Sequence, residues 1–345
     1  MKKITLTKAQ EEHAQELMQE SVFIDGLCGN LINPEPPVID GVTYLDRCLA
    51  SGVTAQSITV ASPAGGFESV LKEMYGYYNL FGYYPEKVMQ INSVADIEKA
   101  HREHKLGVIF SLQNAAPVGG DFYKWSILSR LGLRICQMTY NEPNALGYGC
   151  MSDNGGLTFY GKQAVREMNR QHILIDLSHV GERTSLETIE ASEEPCIFSH
   201  SNARAVTPTT RRNLTDEMIR AVAAKGGLVG LSSHAFLCHH TEGIQPTLED
   251  YMDHFVYVAE LVGTDHIGIG TDIYEYYTKF YWETKTKLLY NSPWFFETVF
   301  NADLKRVDQY INIARGLVAV GFSDSDIKKI LGENYLRVLR QVWKG

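Results

Sequence analysis

Ile173-Leu174-Ile175-Asp176-Leu177-Ser178-His179 and Cys196-Ile197-Phe198-Ser199-His200 are two short apolar runs, and both end in Ser-His. Strands buried on both faces of a parallel sheet read as nearly continuous apolar segments. Each run is therefore a candidate buried strand, and each histidine closes one. Runs of this kind recur at Val22–Leu27, Thr54–Val60, Gly107–Gln113, Leu133–Tyr140, His172–His179, Pro195–His200, Gly226–His234 and His266–Asp272. That gives about eight strands, the number a closed parallel barrel needs.

The stretches between them carry helix signals. Ser93-Val94-Ala95-Asp96 fits a capping box, in which a hydroxyl and an acid three residues on satisfy early backbone N–H groups. Thr247 with Asp250 and Ser323 with Asp326 repeat it, and Gly263 marks a stop. Thr215-Asp216-Glu217 opens another helix, which Gly226-Gly227 ends. Strand and helix alternating in this way predict one (β/α)₈ TIM barrel over residues 1–345. Two aromatic-rich insertions interrupt the rhythm, at about 61–92 after the second strand and about 273–300 after the eighth. Following strands, they are expected as loops or short helices on the catalytic face; peripheral packing or an oligomer contact is the alternative.

Composition narrows the function. The 345 residues are 44% hydrophobic and 21% charged, with a net charge of −9. An acidic chain without a basic run is a poor partner for nucleic acid or anionic lipid. No stretch approaches the roughly 20 apolar residues of a membrane span, and no apolar core of a signal peptide follows Met1-Lys2-Lys3. The six cysteines form no C-x-x-C pair, and Cys136 and Cys196 lie inside apolar runs. Free core thiols of this kind fit a reducing, cytoplasmic setting.

Polar residues at strand ends carry the chemistry. His179, His200 and Asp272 converge at the mouth of one barrel, and two imidazoles with a carboxylate suit a zinc-like divalent ion. A lone strand-end histidine is more often bonded to a backbone carbonyl. Two in the same Ser-His pattern favour a metal or catalytic pair. Asp272 alone also reads as a helix cap. Arg212, in the loop after the sixth strand, can grip a substrate carboxylate with two parallel bonds, although its spacing also fits a solvated surface arginine. Gln113 and Asn141, closing the third and fourth strands, are candidate substrate contacts. Cys28 has no nucleophile signature, and Gly119-Gly120 lacks the lysine and hydroxyl of a phosphate loop.

Together, Asp176-Leu177-Ser178-His179-Val180, Phe198-Ser199-His200-Ser201, Arg212-Asn213 and Gly268-Ile269-Gly270-Thr271-Asp272 resemble the membrane (renal) dipeptidase family of metallopeptidases. Gly156-Leu157-Thr158 through Gly161, Met168-Asn169 and Ile330-Leu331-Gly332-Glu333-Asn334-Tyr335 fit it too, so the likeness runs in order along nearly the whole chain. The resemblance implies an amidohydrolase-like barrel that hydrolyses dipeptides at a two-metal centre. It carries the second metal onto His179 and His200, the substrate carboxylate onto Arg212 and the neighbourhood of the substrate amine onto Asp272.

The rest of the family pattern is missing. Leu27 stands where the family has histidine, and Gly29 where it has aspartate. Gln113 takes the position of the bridging glutamate, and Tyr140 that of a histidine that polarises the scissile carbonyl. Leucine and glycine have no side-chain ligand, and a neutral amide is a weak bridge between cations. The expectation is therefore at most one divalent metal, zinc by type, on His179 and His200, completed by Asp272, Gln113 or water. Tyr140 would donate to the developing oxyanion. The substrate would be a dipeptide or another small carboxylate-bearing amide, and the family's habit makes a homodimer an expectation. The alternative is a metal-free barrel that binds a small molecule or does acid–base chemistry on it with His179, His200, Tyr140 and Asp272.

Overall fold

The computed structural model describes residues 4–29, 31–32, 37–275 and 296–344. Nine strands are present among them: β1 Ile24–Cys28, β2 Ala55–Thr59, β3 Val88–Gln90, β4 Leu106–Leu112, β5 Leu133–Gln137, β6 Leu174–Asp176, β7 Cys196–Phe198, β8 Leu228–Leu231 and β9 Ile267–Ile269. Their pairings are all parallel. The ring runs β1, β2, β4, β5, β6, β7, β8, β9 and back to β1, closed by the β2–β4 ladder. Each of the eight runs read from the sequence supplies one of its strands, and helices join them, so the fold is a (β/α)₈ barrel.

The ninth strand, β3, lies outside the ring. It pairs with Leu106–Val108 on one edge of β4, while Phe110–Leu112 of the same edge pair with β5. The segment before it is not a loop. Phe67–Tyr83 form a helix whose Val70, Met74 and Tyr77 are buried at helical spacing. Tyr77, Tyr78 and Phe81 all meet the ring of Phe110 on β4. This helix belongs to the outer layer of the barrel, which corrects the expectation of loops or short helices. Of the segment 273–300, residues 276–295 lie outside the described residues.

Local chemistry sets the helix ends as the sequence implies. Ser93 and Asp96 form a reciprocal capping box, and so do Thr247 and Asp250. The helix Leu248–Val262 stops at Gly263, whose φ of 87° suits glycine.

Two apolar layers hold the barrel. Most helices pack on its outside. Inside, Ile24, Ala55, Ile109, Ile135, Leu174, Ile197 and Leu228, one from each of seven strands, join Tyr335 and Trp343 in one cluster. β9 contributes Gly268 instead. A Cβ there would stand 2.6 Å from Tyr335 Cε2, and one on Gly26 of β1 would stand 1.7 Å from Tyr335 Oη. These glycines leave room for the phenol ring, which the helix Asn334–Val342 drives into the barrel. A π-helical turn at Lys329–Glu333 precedes that helix. No helix among the described residues is long and apolar enough to cross a membrane.

Candidate active site

At the C-terminal mouth of the barrel, His179 follows β6 and His200 follows β7. Their Nε2 atoms lie 3.0 Å apart. Each ring is held from its far side. His179 Nδ1 is 2.7 Å from Asn141 Oδ1, an acceptor, so Nδ1 carries the proton and the Nε2 lone pair faces the site. His200 Nδ1 is 2.7 Å from Ser199 Oγ. That hydroxyl donates to Asp176 Oδ2 at 2.6 Å, which leaves it free to accept from His200. Both histidines thus present Nε2 as a base. Two lone pairs at this distance repel unless a proton or a cation lies between them.

Tyr140 stacks on His179, with ring centroids 4.1 Å apart. Gln113 Nε2 approaches His200 Nε2 at 3.5 Å, and Tyr274 Oη donates to Gln113 Oε1 at 3.4 Å. Burial, the charge of Arg212 and then His234 hold the His200 imidazole well below its usual range, so it is neutral at pH 7. Burial also pushes the Asp176 carboxyl up, against hydrogen bonds from Ser199 and Ser178 that pull it down.

Arg212 is only 3% exposed, and it reaches the same place. Its two terminal nitrogens donate to Ser201 Oγ and to the His200 carbonyl, each at 2.5 Å. Among the described residues its Nε has no hydrogen-bond partner. A guanidinium has five N–H donors, so three remain for a ligand. Arg212, His179, Cys150 and Gly181 line one cavity.

The backbone is unusual at three of the expected site residues. Asn141, His179 and Asp272 have φ of 59°, 63° and 60°, in the left-handed region that non-glycine residues seldom adopt. Such conformations cost energy and persist where the surrounding structure over-determines them. For Asn141 and His179 the surroundings are explicit. Cys150 N–H donates to the His179 carbonyl at 2.8 Å, and Met151 N–H to the Asn141 carbonyl at 2.9 Å.

The structure therefore brings together His179, His200, Arg212, Gln113, Asn141 and Tyr140. Asn141, read from sequence as a substrate contact, directs its amide oxygen at His179. Tyr140 meets that histidine through its ring. Asp272 donates its backbone N–H to the Leu27 carbonyl at 2.9 Å. Among the described residues, no group of three or more His, Cys, Asp or Glu is placed to hold a metal. The three-ligand set of His179, His200 and Asp272 is thus not assembled. The histidine pair itself fits one ion. Two nitrogens bound to a tetrahedral zinc at about 2.0–2.1 Å are about 3.3 Å apart, close to the spacing of this pair.

Three groups near the site are not among the candidates read from the sequence. His234 follows β8 in Ser232-Ser233-His234, a third Ser-His close to a strand end, and it is the third influence that lowers His200. The Ser199–Asp176 relay shows there only as polar residues inside apolar strands. Tyr274 is hidden in an aromatic-rich segment.

The family described as Membrane dipeptidase (Peptidase family M19) matches residues 11–279. Dipeptidase tcpJ of Claviceps purpurea (strain 20.1) is 27% identical over 262 residues, which are 75% of this chain and 56% of that protein. The chain thus spans a little over half the length of that curated relative. The crystal structure of an amidohydrolase from Pseudomonas aeruginosa superposes with a TM-score of 0.85 at 32% identity, over 96% of this chain and 99% of that one. The probable dipeptidase PvdM from Pseudomonas aeruginosa shares the fold, with a TM-score of 0.81 at 19% identity, over 98% of this chain and 99% of that one. A family match over more than half of the sequence, on a barrel whose mouth gathers the paired histidines and the buried arginine, leads to one conclusion: the chain belongs to the membrane dipeptidase family.

Proposed function

We propose that this protein hydrolyses the amide bond of a dipeptide or another small carboxylate-bearing amide, with at most one zinc-like ion. The observation that carries the reading is Arg212. A guanidinium buried this deeply, beside the histidine pair and with three unused donors, needs an anion. A substrate carboxylate supplies the charge and the planar geometry for two parallel bonds.

The remaining residues have distinct tasks. Asn141 and the Ser199–Asp176 relay fix the tautomers of His179 and His200, so both Nε2 atoms are available to hold the ion. A bound ion would supply an activated water or a polarised carbonyl. Tyr140 covers one face of His179 and keeps its ring from turning, and its phenol is the proposed donor to the oxyanion. Asp272, at the mouth after β9, is the proposed receiver of the substrate amine. Gln113 lines the side facing β4. A small molecule is the partner this site is shaped for; nucleic acid and membrane are not proposed, and the cytoplasm is the compartment that six free, buried cysteines suit.

One observation favours a second reading. Among the described residues no third ligand joins the histidine pair, so a shared proton can take the place of the ion, and the pair then acts as a metal-free acid–base couple. Metal analysis separates the two. Less than about 0.1 equivalent of metal, unchanged by incubation with zinc or manganese, rules out the first reading. For the substrate, turnover of a dipeptide panel is compared with that of N-acyl and N-methylated amino acids. Loss of turnover when the carboxylate is amidated is the expected result, and equal rates would show that Arg212 does not grip a substrate carboxylate.

A further inference from the structure

The residues after β9 lie across the end of β1. Gly29 N–H donates to the Ile273 carbonyl at 2.8 Å, and Cys28 Sγ donates to the same oxygen at 3.6 Å. Glu275 pairs with Arg47 and accepts from Val307 N–H at 2.8 Å. So pinned, the segment carries Tyr274 inward, where it is 8% exposed. A Cβ on Gly29 would stand 2.6 Å from the Ile273 oxygen and 3.3 Å from Tyr274 Cδ1. The far end of the same ring donates to Gln113 Oε1. Tyr274 thus bridges position 29 to position 113, two of the places where the family pattern has ligands of its first metal.

That first metal does not fit this chain. Leu27 and Gly29 offer no side-chain ligand, Gln113 is neutral, and the room beside Gly29 is filled. We infer that Tyr274 occupies the half of the site in which the family holds its first metal, and that its hydroxyl replaces that cation as the partner of residue 113. The exchange is chemically consistent. A glutamate facing a cation has become an amide oxygen facing a phenolic O–H, so no charge is left unbalanced. It also sets the direction of the amide. With Oε1 held by Tyr274, Gln113 turns its N–H toward His200. Tyr274 is a positioning residue, acting on the histidines through Gln113.

Metal at the histidine pair belongs to the proposed function, so the test is built to keep the two apart. Zinc stoichiometry is measured by elemental analysis after equilibration with zinc and desalting, on the full chain. The double variant Leu27→His/Gln113→Glu restores two ligands while Tyr274 stays. It is expected to hold no more zinc than the wild type. Adding Tyr274→Ala is expected to raise the content by one equivalent. A gain in the double variant, or none in a folded triple variant, overturns the inference. A wild type without zinc refutes only the metal reading at the pair, because the comparison of double with triple still decides Tyr274.

A second measurement needs no metal and covers a triple variant that does not fold. Tyr274→Phe and Gln113→Leu are each expected to lower the melting temperature by about 2 °C, and the two together by no more than the larger single effect. Additive losses would mean that the hydroxyl does not act on Gln113, and would overturn the inference.

Discussion

Asn141 Oδ1 lies 2.7 Å from His179 Nδ1, and this contact decides which nitrogen of His179 faces His200. Without an acceptor there, the proton can move to Nε2 and close the lone pair that the site uses. Asn141→Ala is therefore expected to lower zinc affinity or turnover by about 10–100-fold while the fold persists. Chelator-competition titration and steady-state kinetics check it; unchanged values in both would show that the ring is oriented by other contacts.

Removing either histidine should have a coupled effect. His179→Ala and His200→Ala are each expected to abolish bound metal and activity together, since each leaves a single imidazole. Metal content and turnover are measured on the same preparation. Full metal occupancy in either variant would show that the ion is held elsewhere.

Arg212 should govern substrates with a free carboxylate. Arg212→Lys keeps the charge and loses the fork, so kcat/KM is expected to fall by about 100-fold, or about 2.7 kcal/mol. On an amidated substrate, wild type and variant should converge. A uniform loss on both substrates would instead indicate a structural role.

Asp25 should make stability depend on pH. It accepts hydrogen bonds from Thr271 Oγ1 at 2.5 Å and from Tyr310 Oη at 2.7 Å. Burial, the larger influence, pushes its carboxyl up to about 6 from 3.8. The folded state therefore holds the proton more tightly than the unfolded chain. The resulting stability is full below about pH 4 and is lost as pH rises through about 6, a change of about 3 kcal/mol. Asp25→Asn should flatten that part of the profile in urea unfolding between pH 4 and 7. An unaltered slope would assign the dependence to another group.

Arg47 and Glu275 form an ion pair with side chains 6% and 1% exposed. Glu275→Gln leaves a buried guanidinium unbalanced and is expected to cost about 3–5 kcal/mol in urea unfolding. Arg47→Met/Glu275→Leu should recover much of that loss. A single variant as stable as the wild type would mean that water reaches the pair.

The barrel was legible because its strands are buried on both faces, which makes each an uninterrupted apolar run. β3 was not. Val88-Met89-Gln90 is too short to show a period and owes its strand form to the edge of β4. The helix Phe67–Tyr83 was obscured by its composition, since Gly76, Gly82 and clustered tyrosines read as loop, although Val70, Met74 and Tyr77 keep helical spacing. At the site, Ser-His repeats announced His179 and His200, and the family pattern singled out Arg212. Tyr274 carried no such signal. Its reach to Gln113 depends on how Gly29 receives the backbone of Ile273, a relation between residues far apart in the chain. The positive φ of His179 was equally invisible, because the contact on its own carbonyl, from Cys150 N–H, joins backbone atoms far apart in the chain.

Tyr335 follows every barrel strand in the chain, yet its ring fills the space between Gly26 and Gly268. During synthesis all eight strands leave the ribosome before the residue that occupies their centre. Until it arrives, the space between Gly26 of the first ring strand and Gly268 of the last lacks the side chain that fills it in the folded protein. Completion of the interior thus waits for the helix Asn334–Val342, and a ribosome stalled before that point would present a chain with every strand but no finished barrel.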